Sequence, residues 1–470
     1  MAELSFDFDK NISLLDSVLN VKESFDMIKR EMEINSKRVV LYYIDGFITA
    51  ATMQKLMMHL TTIKDFGSNR EGDLEKFIKT SVPAVEVDAC YSLDKMVTMV
   101  LSGCTLMLAE GLGNGGIIID ARTYPARTTE EPENDKVMRG ARDGFVETLL
   151  FNIAMVRRRI RNPNLIVEYH CIGEQSKTDV SLIYIKGKAD NDYVKKLSQK
   201  LDSIKTDALP LGHQSLIECL IKKKWYNPFP KVRCTERPDA ACASVLEGSV
   251  IIICDTSPEA LILPTSIFDF LQETDDFYFP PFTGTYLRLV RQLVFIGSVF
   301  LTPVWYLLVL NANILPRWIS FIVPDNYGNI PLLAQLLIIE IVLSGLKLAS
   351  LNTPSVMSNS FSVVGGLLLG DFAVQIGWFS PDVIFYMAIE SIAGFTQSNY
   401  ELGYAFKFMR ILCLILISFL NFYGLILGTL IMLILIATNS TVLNDKSYLS
   451  PLIPFNAKKL KSLLFRVKKK

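Results

Sequence analysis

The chain has 470 residues, half of them apolar, with 48 basic and 48 acidic side chains that cancel to zero net charge. Such a balance argues against a nucleic-acid-binding protein, which would carry a basic excess. The charge is unevenly spread, because most of it precedes Pro280 and residues 292–316 carry none. The composition therefore predicts a soluble N-terminal half joined to a membrane domain, and it excludes a simple soluble enzyme.

The eight cysteines are unevenly spaced and include no CxxC pair, so they do not form a zinc or disulfide framework. The first residues are acidic and unlike a secretory signal, so we expect the N-terminal half to remain in the reducing cytosol. We expect no metal and no cofactor.

The first cytosolic subdomain is expected over residues 1–130. Apolar periodicity and turn residues predict helices at 13–18, 22–32 and 47–60 and strands at 39–44, 105–109 and 116–119. The glycine-rich segment 111–116 lacks the Lys-Ser/Thr and the helix of a phosphate-binding loop. We interpret it as a hairpin turn with positive φ angles at Asn114 and Gly115.

The second cytosolic subdomain is expected over residues 131–285. The pattern predicts a long helix at 131–160, strands at 165–171, 180–185 and 250–254, and helices at 193–204, 216–222 and 239–247. Strands that alternate with helices indicate an α/β layer in both subdomains. The sequence shows no internal repeat.

The sequence contains few candidate catalytic residues. His59, His170 and His213 are far apart and lack metal-protease spacing, so we interpret each as structural. No nucleophile elbow, Walker motif or kinase signature is present, and we expect no enzymatic activity.

A basic cluster lies at the end of the long helix. Its charges either stabilise the negative helix terminus or contact another subunit or lipid headgroups. Polar residues upstream stand at helical offsets of three to five, which predicts ion pairs on one face or between subunits. The candidate subunit interface comprises Arg139, Arg142, Asp143, Glu147, Arg157, Arg158 and Arg159.

The membrane domain is expected over 286–445, followed by a basic tail at 446–470. Apolar segments long enough to cross a layer of about 30 Å predict spans near 292–315, 361–379, 383–400 and 411–437. The last has 27 uncharged residues and is predicted to be one tilted helix. Segment 332–346 is short and is interpreted as re-entrant or interfacial. Four crossings place both the soluble half and the basic tail in the cytoplasm.

Three carboxylates lie in these apolar segments: Glu340, Asp371 and Glu390. A charge at the bilayer centre costs about 2.5–3.5 kcal/mol on insertion scales, so such residues face protein or water. They either line an ion path that favours cations or lie near an interface, bonded to neighbouring helices. The mid-segment position of Glu340 favours the ion path, and both interpretations stay open for the other two.

Two GxxxG spacings allow close packing of membrane helices, within a chain or between subunits. They are Gly366 with Gly370 and Gly424 with Gly428.

Several strings carry a resemblance to the GerA family of spore germination receptor A-subunits. They are YIDG (43–46), EPE (131–133), RGARDGFVE (139–147), RRRIR (157–161, with Asn152 upstream) and TERPD (235–239). Within the family, ASLNTP (349–354), ELGYA (401–405) and YLSPLIPFN (448–456) resemble the stage V sporulation branch. The receptor A-subunits usually have Arg-Leu-Pro at 352–354 and Arg-Glu-Ala at 347–349. This departure favours that branch over direct nutrient sensing.

The resemblance implies a multi-pass protein of the spore inner membrane, with two cytosolic α/β subdomains followed by an all-α membrane domain. It also implies a homo-oligomer, a ring of five, that conducts cations during germination with other germination membrane proteins as partners. A non-conducting scaffold that organises those partners is the alternative. A transporter is disfavoured because no related halves with broken helices are evident.

Overall fold

The computed structural model describes residues 4–63, 66, 72–82, 86–124, 137–221, 225–273, 275–352, 372–397, 399–439, 441–443 and 448–464. The chain forms two compact units. The first comprises Met1–Lys223, Val232–Thr265 and Thr441–Lys446, and the second comprises Lys224–Lys231, Ser266–Ser440 and Ser447–Lys470. The first unit is α/β and the second is helical, as the sequence predicts.

The first sheet is antiparallel with the strand order β1-β2-β4-β5-β3. Its strands are β1 (Met27–Ile34), β2 (Lys37–Ile44), β3 (Val87–Cys90), β4 (Thr105–Ala109) and β5 (Gly116–Ile119), and its helices are α1 (Phe8–Val18), α2 (Ala50–Leu60), α3 (Asp73–Ser81) and α4 (Leu93–Leu101). Helices α1 and α4 cover one face, and α2 and α3 cover the other. The central strands are apolar over most of their length (residues 39–44, 106–109 and 117–119) because both faces of the sheet are buried there.

The helix predicted at 22–32 is wrong, because residues 27–34 form β1. All eight residues of β1 pair with β2. The connecting Asn35 and Ser36 have φ angles of 48° and 62°, which suit the two-residue turn of a twisted hairpin. The hairpin at 111–116 is confirmed, but its positive φ angles fall at Gly111 and Gly113 instead of Asn114 and Gly115.

The second sheet is also antiparallel, with the order β6-β7-β9-β10-β8. Its strands are β6 (Leu165–Ile172), β7 (Thr178–Ile185), β8 (Arg233–Thr235), β9 (Val250–Cys254) and β10 (Ala260–Leu263), and its helices are α5 (Leu149–Arg159), α6 (Asn191–Asp202), α7 (His213–Leu220) and α8 (Pro238–Leu246). Helices α6 and α7 cover one face, and α5 and α8 cover the other.

The two sheets repeat one topology, although the sequence shows no internal repeat. Their strand orders are the same, and their registers agree. Met27 faces Ile44 at one end of the first hairpin as Leu165 faces Ile185, and Thr105 faces Ile119 as Val250 faces Leu263. A buried strand requires only apolar, often β-branched residues, so many different sequences can form the same strand pairing. The repeated topology is therefore not evident as a sequence repeat.

The helix predicted at 131–160 begins only at Leu149, and the described residues 137–148 are not helical. Gly140 has a φ angle of 145°, outside the helical range. The backbone N–H of Phe145 donates to the Glu236 carbonyl oxygen at 2.7 Å, so this segment is held by the strand-to-helix connection before α8. Tertiary hydrogen bonds therefore replace the helical ones.

The segment that leads into β1 runs along the edge strand β6 and joins the two sheets. The N–H of Phe25 donates to the Val167 carbonyl at 2.8 Å, and the N–H of Val167 donates to Ser24 Oγ at 3.2 Å. The rings of Phe25 and Tyr169 stack with their centroids 4.8 Å apart. The exposed edge of the second sheet is thereby partly satisfied.

The second unit consists of helices. They are α9 (Asp275–Tyr278), α10 (Pro281–Leu310), α11 (Leu332–Asn352), α12 (Ala373–Gln375), α13 (Pro381–Phe395), α14 (Tyr400–Leu420), α15 (Phe422–Ala437) and α16 (Ala457–Leu464). Three stretches in the described part of the chain are long and apolar enough to cross a membrane: Pro281–Leu310, Leu332–Ala349 and Tyr400–Leu420. Helix α15 is apolar but shorter.

Two helix bounds differ from the sequence expectation. The single helix expected at 411–437 is two helices that meet at Asn421, whose φ angle of 52° interrupts the helical backbone. The short segment 332–346 belongs to the 21-residue α11. Helix α11 continues past Lys347, whose ammonium lies 4.5 Å from the Tyr400 ring centroid. Most of segment 361–379 lies outside the described residues.

The membrane domain expected over 286–445 also differs at its end. Residues 441–443 belong to the first unit, where Val442 packs into the core of the second sheet. The Lys200 ammonium donates to the Val442 carbonyl oxygen at 2.7 Å. The chain therefore returns to the α/β unit after α15.

Candidate functional site: a charge cluster among four helices

Glu340 and Glu390, two of the carboxylates predicted to line an ion path, meet at one arginine. Arg410 on α14 donates from Nη2 to both carboxylate oxygens of Glu340 on α11, at 2.9 Å each. Its Nη1 forms an ion pair with Glu390 on α13 and donates to the Ser298 carbonyl of α10 at 2.7 Å. All three charged side chains are buried. One guanidinium thus links four helices.

Lys407 is the second cation of the cluster. Its Nζ lies 2.8 Å from Glu340 Oε1 and also contacts Ser344 Oγ, one turn further along α11. The two carboxylates are therefore matched by two cations that stand three positions apart on one helix. Such pairing is what makes buried charges tolerable between apolar helices.

A small cavity of about 100 Å³, lined by both polar and apolar atoms, adjoins these ion pairs. Its charged lining residues are Glu340, Lys347, Glu390, Lys407 and Arg410, two acids and three bases. Within the described residues, the buried Arg410 Nε and Gln397 Oε1 have no hydrogen-bond partner. Polar atoms of this kind beside a cavity of this size are suited to bind water. The lining is not acidic while the ion pairs are formed.

Sequence reasoning missed Lys407 and Arg410 because the predicted span was started at 411 to exclude them. The available signal was a pair of cations at i and i+3 inside a helix whose other residues from 402 to 420 are uncharged. Asp371, the third predicted carboxylate, lies outside the described residues.

The glycines Gly424 and Gly428 lie where α15 packs on α14. A Cβ atom at Gly424 would stand 2.2 Å from the Leu416 carbonyl oxygen, and one at Gly428 would stand 2.6 Å from Cys413 Sγ. The absence of side chains lets the two helices approach within one chain. Gly366 and Gly370 lie outside the described residues.

The candidate subunit-interface residues are not gathered on one helical face. Arg157 is buried and paired with Asp26, which argues against its assignment to a subunit interface. Arg159 pairs with Asp143 at 2.6 Å, and Arg158 lies 4.4 Å from the Tyr124 ring centroid. The remaining members are exposed: Arg139, Arg142 and Glu147.

The three histidines occupy separate places. His59 Nε2 lies 3.1 Å from the Ser81 carbonyl oxygen, and His170 Nδ1 lies 2.7 Å from Asp202 Oδ1. These contacts agree with structural roles. His213 contacts Ser257 and Glu259.

An α/β region followed by apolar helices that bury a paired charge cluster is the architecture of a membrane protein with a large soluble part. The family model described as Bacillus/Clostridium GerA spore germination protein matches residues 15–470. The chain belongs to this family.

Named relatives agree with this family. Stage V sporulation protein AF of Bacillus subtilis (strain 168) is 37% identical over 463 residues, which cover 98% of this chain and 92% of that protein. Spore germination protein KA of the same organism is 30% identical over 464 residues, covering 97% and 84%. The first of these agrees with the branch indicated by the sequence strings, and neither name denotes an enzyme.

A solved structure is also similar to this chain. It is the crystal structure of the N-terminal domain of the A subunit of the Bacillus megaterium spore germinant receptor GerK3. The match has 26% identity and a TM-score of 0.40, and it covers 56% of this chain and 96% of that domain.

Proposed function

We propose that the protein acts in spore germination as an oligomeric, gated cation channel whose closed state is held by Arg410. The observation that carries this proposal is the cluster in which Glu340 and Glu390, on different helices, share one buried guanidinium. A buried ion pair rarely contributes more stability than apolar packing of similar volume. Three buried charges are therefore better explained by a role in switching than by stability alone.

The cavity beside the cluster supports a path that can change its charge. When Arg410 and Lys407 pair with the carboxylates, three basic and two acidic residues line the cavity, which disfavours cations. If helix α14 moves so that its two cations leave, Glu340 and Glu390 face the cavity unpaired. Unpaired carboxylates attract cations, so the same movement opens the path and sets its selectivity.

A non-conducting scaffold is the second candidate, and one observation favours it. Both carboxylates are neutralised in this structure, and Arg410 fastens α10, α11, α13 and α14 together. In that case the cluster only fixes helix positions, and the soluble unit binds partners. The two candidates differ in whether the purified chain passes ions.

Further parts of the proposal rest on the family and on the distribution of charge. The chain forms a homo-oligomer, a ring of five, in the spore inner membrane and works with other germination membrane proteins. The helical domain, which ends before the chain returns to the α/β unit at 441–443, crosses the membrane four times. The soluble subdomains, near 1–130 and 131–285, and the basic tail at 446–470 face the cytoplasm or spore core. The resemblance and the positive-inside tendency support these assignments.

Potassium flux from liposomes containing the purified full-length chain tests the proposal. We expect Arg410→Gln to raise flux and Glu390→Gln to lower the flux of the Arg410→Gln background. Glu401→Gln, which alters an exposed carboxylate on the same helix, serves as the matched control. Gel filtration in detergent checks that each variant assembles.

The outcomes separate the candidates. No flux from well-assembled wild type and Arg410→Gln favours the scaffold. Flux that is unaffected by both Glu340→Gln and Glu390→Gln supports a channel but removes the cluster from its path.

A further inference from the structure

One end of the second sheet brings together an imidazole, a thiol and a carboxylate. His213 is the first residue of α7, Cys234 lies in β8, and Glu259 directly precedes β10. One donor atom from each lies within 4.8 Å of the other two, and His213 Nε2 is 3.1 Å from Glu259 Oε2. All three side chains are half-buried.

The sheet register explains why these residues meet. Cys234 faces Leu261 across the β8–β10 ladder, and Glu259 stands two residues before Leu261, so both side chains emerge on the same face. Helix α7 covers that face, because Leu216 and Leu220 share a core with Leu261. The first residue of α7 therefore lies at the edge where Cys234 and Glu259 emerge.

Ser257 orients the imidazole. Its buried Oγ accepts from the His213 backbone N–H at 3.0 Å and lies 3.2 Å from the ring Nδ1. A hydroxyl oxygen has two lone pairs, so Ser257 Oγ can also accept a hydrogen bond from Nδ1–H in the tautomer that carries the proton there. The Nε2 lone pair then points at Glu259. This arrangement, in which one ring nitrogen is held by a hydrogen bond and the other faces a further ligand atom, is typical of metal-binding histidines.

Gly212 is required for that contact. A Cβ atom at Gly212 would stand 2.1 Å from Ser257 Oγ, and the residue has a φ angle of 50°. Any other residue would push Ser257 away from the ring. The local backbone therefore supports the orientation of His213.

We propose that His213 Nε2, Cys234 Sγ and a Glu259 carboxylate oxygen bind Zn²⁺, with water as the fourth ligand. Nitrogen, sulfur and oxygen donors suit zinc, and three protein ligands with one open position form a common site. Zinc bonds of about 2.0–2.3 Å set tetrahedral donors roughly 3.3–3.6 Å apart, so the widest separation must close by about 1 Å. Cys234 releases its proton to solvent on binding.

The site would anchor the shortest described strand of the sheet. β8 has three residues and pairs only with β10 among the described strands. A metal shared by β8, α7 and the start of β10 ties this edge to the core. The proposal is independent of ion conduction.

Cobalt provides a direct test, because a thiolate bound to Co²⁺ gives a charge-transfer absorption band. The full-length chain is purified in detergent without a polyhistidine tag, stripped with a chelator and titrated with Co²⁺. We expect a saturable band that Zn²⁺ displaces. Cys234→Ser should abolish the band, and Cys219→Ser, an exposed cysteine on α7, should retain it.

A second variant tests the orientation of the imidazole. Ser257→Ala should weaken Zn²⁺ affinity by about 10–100-fold, the usual effect of removing a partner behind a ligand. Circular dichroism confirms that each variant is folded. Absence of the band in the wild-type chain, or its persistence in Cys234→Ser, would overturn the proposal.

Discussion

Arg157 and Asp26 stand 131 positions apart and form a fully buried, two-pronged ion pair. Arg157 Nε lies 2.8 Å from Asp26 Oδ2, and Nη2 lies 2.7 Å from Oδ1. Ser24 Oγ and the Leu165 carbonyl oxygen also accept from the guanidinium at 3.0 Å each, and the Asn162 carbonyl oxygen accepts from Nη1 at 3.4 Å. Because Asp26 precedes β1 and Arg157 belongs to α5, the pair connects the first sheet to the second.

Removing one member of this pair should loosen the junction between the sheets. Arg157→Met leaves the Asp26 carboxylate buried without its cation, at a cost of about 3–5 kcal/mol. We expect faster hydrogen–deuterium exchange in β1 and α5 of the full-length chain, measured by mass spectrometry. Arg139→Met, at an exposed arginine, should leave exchange unchanged. The combined Asp26→Leu and Arg157→Met variant should recover much of the protection from exchange, because no buried charge is left unpaired. Equal exchange in all variants would contradict a stabilising role for this ion pair.

Arg410 and Lys407 should contribute unequally to the thermal stability of the helical unit. Arg410→Met deprives both Glu340 and Glu390 of their shared partner, whereas Lys407→Met leaves Glu340 paired with Arg410. We therefore expect a larger fall in the thermal denaturation midpoint for Arg410→Met, measured by static light scattering in detergent. Adding Glu340→Gln and Glu390→Gln should restore part of the loss, because the uncompensated charges are removed. A Lys407→Met variant that is as unstable as Arg410→Met would contradict this order.

Gly424→Ala should separate α14 from α15. The added methyl group would collide with the backbone of Leu416, which cannot move aside as a side chain can, and overpacking of this kind costs about 1–3 kcal/mol. We expect a lower midpoint of thermal denaturation in detergent. Gly297→Ala is the matched control, since a Cβ at this helical glycine of α10 meets nothing within 4 Å. Similar losses for both substitutions would indicate a helix-wide effect instead of this contact.

Alkaline pH should destabilise the first unit. Burial raises the pKa of the Cys242 and Cys254 thiols from 9.0 to about 12. In the unfolded chain these thiols ionise near their ordinary pKa, so stability is full below about pH 9 and falls as the pH rises toward 12. Each thiol adds a slope of about 1.4 kcal/mol per pH unit. We expect the urea concentration at the unfolding midpoint of the full-length chain, monitored by hydrogen–deuterium exchange in β9, to fall over this pH range. The Cys254→Val substitution should make the fall smaller.

The central strands could be predicted from the sequence because burial on both faces requires continuous runs of apolar residues. Val39, Leu41 and Ile251 belong to runs that are apolar on both faces. β8 could not be predicted, since its three residues are strand only through their bonds to β10. β1 was predicted as a helix for a related reason, because its charged side chains are spaced with a helical period. Its strand conformation depends on the Asn35-Ser36 turn, which pairs it with β2.

The candidate site was predictable only in part. Glu340 and Glu390 stand out as carboxylates in apolar segments, and a bond to a neighbouring helix is one of the two roles that the sequence leaves open for them. The identity of that partner depends on how α11, α13 and α14 pack, which no periodicity along a single helix encodes. Arg410 is 70 positions from Glu340, and only the fold brings them to 2.9 Å.

Because the two sheets share one topology, residues at matching positions in the two sheets can be compared directly. Ala260 faces Thr235 in the second sheet as Gly116 faces Cys90 in the first, so Cys234 corresponds to Ala89 and Glu259 to Gly115. Neither counterpart carries a side-chain ligand atom. The first sheet therefore has the same ladder without these two donors, and comparison of the two sheets position by position distinguishes residues that the shared topology requires from those present in only one sheet.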